Sequence, residues 1–72
     1  MKGEKIMNYK LRKDKFRTAL LNNGMSITDI SNKSNVSTVT LDKIINHNGS
    51  ARAKTCLKIS TALNTNVTEL FE

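Results

Sequence analysis

The sequence predicts an all-α domain, a compact bundle of five short helices, on three observations. The 72 residues include no proline and only three glycines. Apolar residues recur three and four apart with little alternation, the period of helices rather than strands. Residues that cap helices stand at short intervals along the chain. A chain of this length buries only about 60% of the surface of its unfolded form, so the core is small and a deep catalytic cleft is not expected.

The first helix is expected from about Leu11 to Asn23, where Phe16, Ala19 and Leu20 make one apolar stripe and Lys13, Lys15 and Arg17 occupy the rest. Gly24 follows as a left-handed C-terminal cap. After Met25, Ser26 is placed to cap a second helix, with Asp29 three residues on, the spacing of a capping box. That helix, "ITDISNKS", gives Ile30 to the core and has Ser31 small enough for another helix to lie close. In "NVS", Asn35 tolerates left-handed backbone, Val36 is apolar and Ser37 is a good N-cap, which makes a tight turn.

A third helix, Thr38 to Asn46, follows at once. Leu41, Ile44 and Ile45 form its buried stripe, leaving Thr38, Val39, Asp42, Lys43 and Asn46 outside. Beyond the loop "HNGS", a fourth helix from about Ala51 to Leu63 buries Cys56, Ile59, Ser60 and Leu63 and shows Arg52, Lys54, Lys58 and Thr61, with Asn64 closing it. Asn66 then caps a last turn with Glu69 three residues later, and Val67, Leu70 and Phe71 close the core.

Twelve basic residues against six acidic give a net charge of +6, a balance that suits a polyanion. Residues 1–17 hold seven of the basic residues and two acids, an excess of +5 that reads as an N-terminal basic arm or helix face, and residues 1–8 are expected to form a flexible basic arm ahead of one domain over 9–72. No apolar run approaches the roughly 20 residues of a membrane span, and no secretory signal is visible, so a cytoplasmic protein with no membrane partner is expected. With one cysteine and one histidine the sequence has neither a disulfide pair nor a zinc-ligand set. It also lacks a glycine-rich phosphate loop and a nucleophile with histidine and acid partners, so neither an enzyme nor a cofactor is expected. Cys56 reads as a small buried apolar residue.

A helix of about eight residues, a three-residue turn and a helix of about nine, set at a steep angle, make a helix-turn-helix, whose second helix can enter the DNA major groove. "MSITDISNKSNVSTVTLDKIIN" followed by "CLKISTALNTNVTELF" resembles the DNA-binding domain of the phage Cro and repressor (Xre-like) family, over about residues 9 to 71. The resemblance rests on Ser26, on Ile30 and Ser31, on Val36 and Ser37, on Leu41 and Ile44, on Asn46, and on "ALN" and "VTELF". It implies a lambda-repressor-like bundle with the third helix as recognition helix, and a small transcriptional regulator that binds double-stranded DNA as a homodimer.

By the resemblance, Thr38, Val39 and Lys43 stand where the family reads bases. Their chemistry agrees: Val39 cannot hydrogen-bond and suits a thymine methyl, Thr38 can bond a base edge or a phosphate, and Lys43 can reach guanine O6 and N7. Ser26, Ser37, Thr40, Asn46, Arg52 and Lys54 are the expected phosphate contacts, Ser26 because a helix N-terminus with unpaired N–H groups attracts anions and Asn46 because it matches the family's phosphate-binding asparagine.

There are departures from the pattern. Ile27 replaces a frequent glutamine and cannot hold a phosphate. Leu20 and Ile45 replace a frequent arginine and glutamate, two changes that leave no stranded charge and predict that these side chains touch. Asn35 and His47 stand where glycine is common, and His47 is expected to be a structural loop residue. Asp42 would repel phosphate unless it pairs with Lys43 or reads a cytosine amino group. The alternative is a protein-interaction module, such as an antitoxin or inhibitor, that keeps the fold and binds a protein partner through Val39, Ile27 and Leu57.

Overall fold

The computed structural model describes residues 8–47 and 49–72. Its elements in order are β1 (Asn8–Lys10), α1 (Lys13–Asn23), α2 (Ile27–Ser34), α3 (Thr38–Asn46), β2 (Ser50–Arg52), α4 (Ala53–Ala62) and α5 (Val67–Leu70). The five helices surround one core built on Phe16, Ile30, Leu41, Ile44, Ile59, Leu63 and Leu70. Each such side chain, taken fully out of water, contributes about 1.5–3 kcal/mol before conformational entropy is subtracted.

The caps that set the boundaries of α2 and α3 act as expected. Gly24 closes α1 in left-handed backbone, φ 61° and ψ 37°. At α2 the capping box is complete: the Asp29 N–H donates to Ser26 Oγ at 3.2 Å, and the Ser26 N–H donates to Asp29 Oδ2 at 2.9 Å. Asn35 takes φ 62°, as the turn requires, and its N–H donates to the Ser31 carbonyl at 3.0 Å. The buried Ser34 hydroxyl donates to the Ile30 carbonyl at 2.6 Å and accepts from the Val36 N–H at 3.2 Å. One hydroxyl thus ties the last turn of α2 to the residue that leads into α3. Sequence reasoning gave this serine no role.

The all-α class holds, and the fold adds two short strands to the helices. β1 pairs antiparallel with β2, with Asn8 opposite Arg52, Tyr9 opposite Ala51 and Lys10 opposite Ser50. The C-terminus lies against β1 as well: the Lys10 N–H donates to the Glu72 carbonyl at 3.0 Å, the Glu72 N–H to the Lys10 carbonyl at 2.9 Å, and Leu11 bridges Phe71. The first helix therefore begins at Lys13 and not at Leu11: Leu11 is spent on the bridge to Phe71, and Arg12 is held in extended backbone, φ −86° and ψ 98°, with its N–H on the Leu70 carbonyl at 2.7 Å. The fourth begins at Ala53 and not at Ala51, because Ser50–Arg52 are spent on the strand pair. Asn66 precedes α5 without a side-chain cap bond; its carbonyl accepts from the Glu69 N–H instead, at 3.0 Å. Asn8, counted in the basic arm, is the first residue of β1, and the rest of that arm, 1–7, lies outside the described residues.

Candidate nucleic-acid interface

Three things orient α3. Ser37 caps its first turn, accepting from the Thr40 N–H at 3.1 Å. Leu41 and Ile44 anchor it, 1% and 4% exposed, with Ile45 half-buried against the same core. The turn at Asn35, wired by Ser34, sets its angle to α2. Two buried anchors on nine residues leave the rest of the helix surface to solvent: Thr38, Val39, Thr40, Asp42, Lys43 and Asn46 are all exposed. Val39 is 64% exposed, which for a β-branched apolar side chain at the start of a helix is a surface the core does not require.

The hydroxyls at this end are partly arranged. Ser37 Oγ donates to Thr40 Oγ1 at 3.0 Å, so Thr40 keeps its own hydrogen for another acceptor. Ser26, Arg52 and Lys54 are exposed at the starts of α2 and α4, where backbone N–H groups lack helical partners. The Asp29 carboxyl is held below its ordinary value by the backbone N–H and hydroxyl of Ser26. It stays ionised at the positive end of α2, competing there with any bound anion.

The end of α3 differs from expectation. Asp42 does not pair with Lys43; Oδ1 accepts from Asn46 Nδ2 at 2.6 Å and Oδ2 lies 3.3 Å from His47 Nε2. Asn46 is thus turned onto Asp42, and His47 is the C-terminal cap residue of α3 with a carboxylate partner. Behind them the Lys43 carbonyl accepts from the His47 N–H at 3.2 Å and from the Gly49 N–H at 2.9 Å. Val39, Asp42, Lys43, His47 and Gly49 together line a shallow cleft.

A family model described as "Helix-turn-helix" matches residues 16–70, from the first core residue of α1 to the end of α5. The chain belongs to the helix-turn-helix family of the Cro and repressor type. No curated protein and no solved structure matches the chain. Members of this family are DNA-binding regulators and are not generally enzymes.

Within this helix-turn-helix domain the departures have physical counterparts. Leu20 and Ile45, expected to touch, are both half-buried against the core. Ile27 is also half-buried against the core. Only part of it is therefore left for the apolar patch that the protein-interaction alternative needs, whereas Leu57 is 58% exposed and Leu21, unnoticed in the sequence, 81%. Burial pushes the Cys56 thiol up, away from the reactive thiolate, and its Sγ lies 3.5 Å from the Ala51 carbonyl. Among the described residues no group of three His, Cys, Asp or Glu could hold a metal, and no helix is long and apolar enough to cross a membrane.

Proposed function

We propose that the protein is a sequence-specific regulator that occupies double-stranded DNA, with α3 in the major groove and no chemical step. The observation that supports this most is the exposed face of α3 in a chain of the helix-turn-helix family. A major groove about 12 Å wide accepts one helix and brings side chains of its opening turns to base edges. In this reading Thr38, Val39 and Lys43 read bases, while Ser26, Ser37, Thr40, Asn46, Arg52 and Lys54 hold phosphates. Thr40 has a hydroxyl hydrogen to give, and Asn46 must turn its amide from Asp42 to a phosphate oxygen. The residues ahead of β1, with Lys2 and Lys5 against Glu4, add basic charge to the DNA-binding domain.

The DNA-bound form is a homodimer in this reading, with half-sites about one helical turn, roughly 34 Å, apart. The surface best suited to a second copy is an apolar groove of about 520 Å³ lined by Tyr9, Leu57, Val67 and Phe71. Selection of bound duplexes from a random pool tests the whole reading. One preferred sequence is expected, with affinity falling steeply as salt rises. Lys43→Ala should relax the choice at one base position, at about 1–3 kcal/mol, whereas Lys54→Ala should weaken all sequences alike. A pool that emerges as random as it entered, or salt-insensitive capture of one stable protein partner instead, removes the reading.

A further inference from the structure

The nine residues of α3 contain one acid and one base, Asp42 and Lys43, so the helix proposed to meet a polyanion brings no net charge of its own. Each oxygen of that acid has its own neighbour: Asn46 on Oδ1 at 2.6 Å, one turn along the helix, and His47 Nε2 near Oδ2 at 3.3 Å, reaching back from the C-terminal cap. The pair is open to solvent, the His47 side chain 69% exposed and that of Asp42 54%. It lies in the same cleft as Val39 and Lys43, two of the three residues read as base contacts. The charged groups lining that cleft with His47 are Asp42 and Lys43, one of each sign; Val39 and Gly49 bring none.

The geometry decides which form of the imidazole is useful there. Neutral histidine has one N–H and one acceptor nitrogen. With the hydrogen on Nε2 facing the Asp42 carboxylate, Nδ1 is left as an acceptor, and an acceptor cannot bond a phosphate oxygen. Once protonated, the ring donates from both nitrogens, keeping Asp42 on one and offering the other outward. The charge of the group formed by Asp42, Lys43 and His47 then changes from 0 to +1.

We propose that His47 is a further DNA-contacting residue acting in its protonated form, and that Asp42 is the positioning residue that holds its ring. This rests on the reading that α3 faces DNA. Binding then takes up a proton, so affinity rises as the pH falls. The acid in the recognition helix is the fixed point that turns a neighbouring imidazole into a phosphate donor.

The test is a titration of a labelled duplex, recovered by selection from a random pool, against the full chain at fixed salt between about pH 6 and about pH 8. One proton taken up can change affinity by at most about tenfold per pH unit. Wild type should bind about three- to tenfold more tightly at the lower pH than at the higher, beyond any change shown by His47→Gln, which can hydrogen-bond but cannot titrate in this range. The salt slope of wild type should also steepen at the lower pH by up to about 0.9. Asp42→Asn should keep the fold and lose most of the pH-dependent gain, an effect that a helix-stabilising role alone would not produce. A His47→Gln profile that parallels wild type, or a flat wild-type profile, overturns the proposal. Firm binding at the higher pH with a flat profile leaves the α3 reading standing and removes this one; no binding at either pH removes both.

Discussion

Gly49→Ala is expected to damage α3 from outside it. A Cβ added at Gly49 would stand 2.8 Å from the Lys43 carbonyl oxygen and 3.1 Å from its carbon, closer than carbon and oxygen tolerate without movement. Both atoms are backbone in the last turn of α3, and that oxygen already accepts from the N–H groups of His47 and Gly49, so it cannot swing aside. Overpacking of this kind costs about 1–3 kcal/mol. If the loop retreats instead, it gives up the Gly49 hydrogen bond, about 0.5–1.5 kcal/mol. The cheaper route sets the loss at about 1 kcal/mol, and for a domain of this size the Tm falls by roughly 4–8 °C.

Gly24 supplies the control, because its φ is +61° and nothing lies within 4 Å of the place its Cβ would take. Asparagine, which this chain itself carries in left-handed backbone at Asn35 and Asn64, should be nearly neutral at Gly24 and as harmful as alanine at Gly49. Thermal unfolding followed by circular dichroism reads all of these variants. If Gly49→Ala melts within about 0.5 kcal/mol of wild type, the close approach of the loop to α3 is not a constraint and the reasoning fails.

Two further substitutions test the caps on either side of the turn. Ser37→Ala removes the acceptor of the Thr40 N–H and should lower stability by about 1 kcal/mol, read from denaturant unfolding, whereas an unchanged midpoint would mean that α3 does not need its cap. Asp29 has a carboxyl pKa below its ordinary 3.8 in the folded chain, so the unfolded chain binds the proton more readily. The stability it lends is complete above that ordinary value and is lost as the pH falls through the lower folded-state value. Asp29→Asn should therefore flatten the acid limb of a plot of Tm against pH below about pH 4, and an equally steep fall in both proteins would contradict the capping box.

The legible parts of the fold are those whose cause is local. Ser26 with Asp29, Gly24, Asn35 and Ser37 act within three or four residues of themselves, and α1 ends, α2 begins and ends, and α3 begins where those residues place them. The apolar spacing of Leu41 and Ile44 likewise separates the buried and open sides of α3. The illegible parts have a distant cause. Strands of three residues are too short for alternation to register, and Asn8–Lys10 and Ser50–Arg52 exist because they meet each other across 40 residues of chain. Leu11 and Arg12 fit a helical stripe, and only the return of Leu70–Glu72 to lie beside them withholds them from α1. At the site, the exposed face of α3 was readable from periodicity. The engagement of Asp42 with Asn46 and His47 was not, since spacings of four and five along a helix admit a contact with Lys43 or with none of them just as well.

The central claim is that the open face of α3 is the surface that meets DNA, and the most direct measurement is a backbone-amide NMR titration of the isotope-labelled protein with the selected duplex. The largest shifts are expected at Thr38, Val39, Thr40 and Lys43, with smaller ones at Ser26, Arg52 and Lys54 and little change at Leu21. Shifts concentrated instead on Leu57, Val67 and Phe71, with α3 unmoved, would contradict it.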